Sequence, residues 1–174
     1  MKFEEWQQQL KEAEQVTEER LMPGALIETH VGEPVITTKY GEKDKKKLII
    51  VGKDLELGLA YGVLIVNTDK RYSTNPDKAY SEDVRKAQVI IKAKDYSSFL
   101  EYDSYINSAK ITSVPLEDIL AGKYKGQLNK YDKNNIWKRL RQATTLSNHA
   151  KQRFGLIGEG DETTSSKKYK YHEC

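Results

Sequence analysis

The sequence predicts a mainly β protein, a small and strongly bent β-barrel with an α-helix at each end. Three observations carry this expectation. Short β-like runs recur at Ala25–His30, Lys47–Val51, Val63–Asn67, Gln88–Ala93 and Ser104–Thr112. Polar loops of unequal length join them, as in bent antiparallel sheets. No amphipathic helix lies between residues 30 and 95, so the crossovers that a parallel sheet needs are missing. Helical patterns stand on either side of this region.

Residues 3 to about 20 read as an amphipathic helix. Phe3, Trp6, Leu10, Ala13 and Val16 recur at steps of three and four, with Glu and Gln on the other face. This stripe is expected to pack on the barrel or on a second copy, and Pro23–Gly24 stops the helix. Leu26–Val31 opens the barrel, and Glu33 to Asp44 is a polar hairpin-like connection with Gly32 and Gly41. Leu48–Val51 and Val63–Val66 are continuous apolar runs, the pattern of central strands buried on both faces. Asp69 to Arg85, with Asn75–Pro76, reads as a long exposed loop, a length that often serves binding. Ser113 and Pro115 mark the start of a short helix ended by Gly122. A second long helix is expected from Asp132 to Phe154, its stripe of Ile136, Leu140, Ala143, Ala150 and Phe154 interrupted at Ser147. The Gly-, Ser-, Thr- and Lys-rich stretch that follows is expected to be disordered. The predicted organisation is a helix over 1–22, a barrel over 23–130, a basic helix over 131–157 and a tail over 158–174.

The 174 residues are 37% hydrophobic and 32% charged, which suits one compact domain with exposed helices. A net charge of +3 does not mark a nucleic-acid binder by itself, but its distribution is uneven. The first helix is rich in Glu, whereas no acid occurs between Lys133 and Gly158. Such a one-sided field attracts phosphate. The single cysteine, Cys174, has no partner for an intramolecular disulfide, which favours a reducing, cytoplasmic setting. Glu4 and Glu5 stand where a signal peptide needs apolar residues, and no apolar run approaches the roughly 20 residues of a membrane span.

Most chemical motifs are missing. There is no phosphate-binding glycine loop, no His-Glu-x-x-His, no zinc-binding Cys pair and no Gly-x-Ser-x-Gly elbow. His30, His149 and His172 are too scattered to make a metal site. Chemistry that needs neither metal nor cofactor remains. RNA can be cleaved through its own 2′-hydroxyl, given a proton acceptor, a proton donor and cations to hold the phosphorane.

Several segments, taken in order, look like one known barrel. Pro23–Gly24–Ala25–Leu26–Ile27 is a glycine-led strand opening, and Lys46–Lys47 lead the strand Leu48–Val51. Val63–Asn67 ends at Thr68, and Asp103–Ser104 leads into an isoleucine-containing stretch to Thr112. Leu116–Leu120 and Gly126–Gln127–Leu128 close the series. Over roughly residues 22–128 this order resembles the PemK/MazF-like toxin family, with lysine in place of the family's arginine and without its proline. The resemblance implies an SH3-like β-barrel of PemK/MazF type with flanking helices. It implies a metal-independent endoribonuclease toxin acting on single-stranded RNA, paired as a homodimer and restrained by an antitoxin protein. The catalytic pair would fall on Lys46 and Thr68, and Lys47 takes the first place if the register slips by one.

Other residues are candidates for holding RNA. His30 follows the first strand and suits an acid or base, whereas its ordinary reading is a strand-end histidine. Arg71 and Arg85 flank the long loop and offer a guanidinium. Lys138 and Arg141 lie on the basic helix beside Trp137, a composition that binds single strands by phosphate contact and stacking. That helix has a competing use, pairing with the acidic N-terminal helix. The rival to the enzyme is a non-catalytic binding module on the same barrel, for nucleic acid or for a protein.

Overall fold

The computed structural model describes residues 2–32, 43–67, 82 and 86–158 and builds them around two apolar strands. Seven strands form the sheet: β1 (Ala25–Val31), β2 (Asp44–Lys53), β3 (Ala60–Asn67), β4 (Gln88–Ile91), β5 (Ser104–Asn107), β6 (Thr112–Pro115) and β7 (Lys123–Gln127). The helices are α1 (Phe3–Glu14), α2 (Leu116–Leu120), α3 (Lys130–Gln142) and α4 (Asn148–Arg153). Neighbours run in the order β4-β5-β3-β2-β1-β7 with every pairing antiparallel, and β6 pairs with β3. The register shifts between Ile50 and Gly52 on β2 and between Ala25 and Ile27 on β1. Irregularities of this kind sharpen the local twist, and the sheet curls into a half-barrel.

Alternation along the central strands explains the two cores. Leu48 and Ile50 join Ile27, Val63, Val114 and Ile119 on one face. Ile49 and Val51 join Leu26, Leu64, Ile106, Ile136 and Leu140 on the other. Both runs are therefore buried on both sides, as their continuous hydrophobicity predicts. Gly24 stands where the chain enters β1 with φ of +95°, a conformation that glycine adopts without strain. Its amide donates to the Ile50 carbonyl, and its own carbonyl accepts from Leu128, so one residue ties three segments together.

Three expectations need correction. The predicted strand Ser104–Thr112 is two strands, β5 and β6. Asn107 Oδ1 accepts the Ala109 amide and the Ser108 hydroxyl donates to the Ala87 carbonyl, a side-chain turn that interrupts the ladder. The first helix ends at Glu14, before Pro23–Gly24, because Arg20 Nη1 donates to the carbonyls of Ala13 at 2.8 Å and Gln15 at 3.0 Å and so caps it. Its stripe is not packed on the barrel: Phe3, Trp6 and Leu10 are 67%, 50% and 42% exposed, and only Val16, beyond the helix, is buried. The long second helix is also two. Its first part stops at Gln142, and Ser147 accepts the Ala150 amide to start α4 as a fresh N-cap.

Among the described residues no ion pair joins the acidic helix to the basic one. Glu14 pairs with Lys125 of β7 at 2.6 Å. That hydrogen bond is the main reason the Glu14 carboxyl titrates below its ordinary range.

Candidate nucleic-acid interface

Ladder bonds between β2 and β3 extend to Leu48–Ile65, beyond which β3 turns to pair Val66 and Asn67 with β5. A groove of about 460 Å³ opens where the two strands part, lined by Lys45, Lys46 and Lys47 on one side and by Asn67, Tyr102 and Ser104 on the other. Adjacent residues of a strand point to opposite faces. A groove lined by three in succession therefore crosses the end of β2 instead of following one face.

The three lysines are not equivalent. Lys45 pairs with Glu28 at 3.0 Å. Lys47 sits half-buried with its Nζ 6.0 Å from the Phe99 ring centroid, a cation–π distance. Lys46, also half-buried, stands opposite Thr29 on β1 and faces the other core. Glu101 is the one carboxylate lining the groove among the described residues, so the groove is electropositive. Tyr102, 64% exposed, adds a flat apolar surface beside these charges.

The remaining predicted site residues scatter. Thr68 and Arg71 lie outside the described residues, as does Arg85, although Asn67, next to Thr68, lines the groove. His30 is exposed and stands opposite Lys45 on β1, across β2 from the wall that β3 builds. Lys138 and Arg141 are exposed on α3, which buries Ile136, Trp137 and Leu140 over the sheet. Trp137 is thus a core residue, with Lys133 over its ring at 5.7 Å, and is not presented for stacking.

Arg141 belongs to a different cavity, of about 620 Å³, beside the turn from β2 to β3. Lys46 and Lys53 are seven positions apart along β2, roughly 23 Å, so the groove and this cavity sit at opposite ends of the strand. Asp54, fully buried, anchors the turn. It accepts the Glu56 and Leu57 amides, the Ser113 hydroxyl at 2.6 Å, and both Nε and Nη2 of Arg153 at 2.9 and 2.7 Å. Burial opposes its ionisation, but Arg153, Ser113 and the two amides outweigh burial and hold the carboxyl far below the usual range. His149 pairs with Glu56, whose second oxygen lies 3.4 Å from Arg153 Nε.

Tyr102, Asp54 and Glu56 escaped the sequence reading, and Arg153 was legible only as one of the basic residues of the C-terminal helix. Tyr102 sits in a short connection without a motif, and the Asp54–Arg153 pair spans 99 residues, a separation with no local signature. Among the described residues no His, Cys, Asp or Glu cluster suits a metal ion, and no helix is long and apolar enough to cross a membrane. No family model and no curated protein matches the sequence.

Proposed function

We propose that the protein acts on single-stranded RNA, holding the backbone in the Lys45–Lys47 groove and cleaving it there without a metal, as an endoribonuclease toxin of PemK/MazF type does. The groove itself carries this reading. Lysines there supply charge for phosphates, Tyr102 supplies a face on which a base stacks, and Asn67 brings the end of β3 up to Lys46. In the cleavage step the RNA 2′-hydroxyl attacks the adjacent phosphorus, its proton passes to a base, and the 5′-oxygen leaves with a proton from an acid. Lys46 would stabilise the added negative charge on the phosphorane, and the Thr68 hydroxyl would contact the phosphate. A homodimer and an antitoxin partner belong to the same proposal.

The rival reading, binding without cleavage, is favoured by one observation. Lys46 and Lys47 point to opposite faces of β2, so a single phosphate does not receive both, and a lysine lacks arginine's bidentate fork. Incubation with a long single-stranded RNA in EDTA separates the two. Discrete cuts that fall about 10²-fold or more in Lys46→Ala support the enzyme. Intact RNA bound by the wild type, with affinity lost in Lys46→Ala, leaves a binding module. Absence of both binding and cleavage removes RNA from the proposal.

A further inference from the structure

The cavity beside the β2–β3 turn plays no part in that reading, and its side chains fit a ligand of their own. His149 and Arg153 are four residues apart on α4 and project from the same side. Both meet Glu56, and Arg153 also holds Asp54 through two hydrogen bonds. Arg153 therefore stands against both carboxylates. Across the cavity Arg141 donates only Nε, to the Leu156 carbonyl at 3.2 Å, and pairs with no carboxylate among the described residues. Arg141 is thus a cation lining this cavity that no described carboxylate neutralises. Leu55, 67% exposed, lines the same cavity and gives it an apolar wall. A volume of about 620 Å³ lies in the range of small-molecule sites.

We propose that this cavity binds the phosphate monoester of a nucleotide. The terminal nitrogens of Arg141 take the phosphate oxygens as a fork, the geometry that suits guanidinium and phosphate. His149, its ring held through Nε2 by Glu56, closes the other side of the site. The base lies against Leu55. Glu56 is the one acid lining the cavity among the described residues, and Arg153 Nε stands 3.4 Å from it, so an anion can enter beside Arg141. The phosphate can belong to a free mononucleotide or to the 5′ end of an RNA, and the inference holds whether or not the lysine groove binds RNA.

Calorimetric titration of the full chain with adenosine 5′-monophosphate tests this, alongside an eight-nucleotide RNA with and without a 5′-phosphate. The wild type is expected to bind the monophosphate, with affinity lowered tenfold or more in both Arg141→Gln and His149→Gln. His149 is a surface residue, so its variant keeps the fold even if loss of the Arg141–Leu156 bond loosens the other. Binding confined to the free nucleotide assigns a mononucleotide ligand. A 5′-phosphate that tightens RNA binding in the wild type but not in the variants assigns an RNA end. Absence of monophosphate binding at millimolar concentration overturns the proposal, as does equal affinity in wild type and both variants. Displacement of the monophosphate by 5′-hydroxyl RNA also overturns it, because the nucleotide then occupies the lysine groove. Failure of that RNA to bind, with the monophosphate still lost in the variants, sinks the RNA reading alone.

Discussion

Asp54 concentrates more bonding than any other side chain described here: two backbone amides, a hydroxyl and a guanidinium converge on a carboxylate with no exposed surface. Truncation would leave Arg153 only the longer contact with Glu56, 3.4 Å from Nε, and the turn without its anchor. Asp54→Ala should cost about 3 kcal/mol or more, read from urea denaturation. Its folded carboxyl titrates below the unfolded one, so its stabilisation is complete above the ordinary aspartate value of about 3.9 and drains away as pH falls below it. Asp54→Asn should therefore flatten the loss of stability between about pH 4 and pH 2. An equally steep acid limb in the variant would mean that other carboxylates set it. Lys151 acts with the same sign in an alkaline window, but here the charged form is the one the fold disfavours. It is buried, burial lowers its pKa from 10.5, and its Nζ donates to the Arg141 carbonyl at the end of α3. The unfolded chain binds that proton more readily, so stability attributable to Lys151 rises with pH on approaching 10.5. Lys151→Met should abolish this rise, as measured by denaturation midpoints in alkaline buffers.

At the scale of elements, the glycines of the central strands set where α4 can dock. A Cβ at Gly62 would lie 2.4 Å from Phe154 Cδ1 and 2.9 Å from Ile111 Cγ2, and one at Gly52 would lie 2.5 Å from the Phe154 carbonyl oxygen. Gly62→Ala should destabilise by about 1–3 kcal/mol through overpacking. In Phe154→Leu the clash is smaller, so the double variant should cost less than the two single costs added together. Strict additivity in that denaturation cycle would refute direct contact. This pair illustrates what was legible. Glycine inside an apolar strand signals a close approach, but nothing near residue 62 names Phe154 as the neighbour. The central strands could be read because their apolar runs are continuous. Ser147 could be noticed as a break in the stripe, whereas its cap, which divides one expected helix into two, depends on geometry that periodicity does not carry. The α1 stripe, expected on the barrel or on a second copy, is not covered by the barrel, for a related reason. Spacing reports an apolar face but not whether anything covers it, and Arg20 halts the helix before that face reaches the barrel.

Across the whole molecule, composition placed the basic character on the C-terminal helix, yet the electropositive groove arises where β2 and β3 separate. No local pattern announces a strand that changes partners, so three consecutive lysines read equally well as a solvated strand end. RNA affinity should reveal which lysines act. Lys45 is tied to Glu28, which leaves Lys46 and Lys47 as the cations available to phosphate. Each phosphate neutralised on a single strand contributes about −0.7 to the slope of log affinity against log salt. The wild type should therefore show a slope near −1.4, falling to about −0.7 in Lys46→Ala and in Lys47→Ala. Lys138→Ala, on the far side of α3's buried face, should leave the slope unchanged. Tyr102→Ala should weaken binding by about 1–3 kcal/mol at every salt concentration, because stacking releases no counterions. A slope that is insensitive to Lys46 and Lys47 but reduced by Lys138→Ala would move the nucleic-acid surface from the groove to the helix.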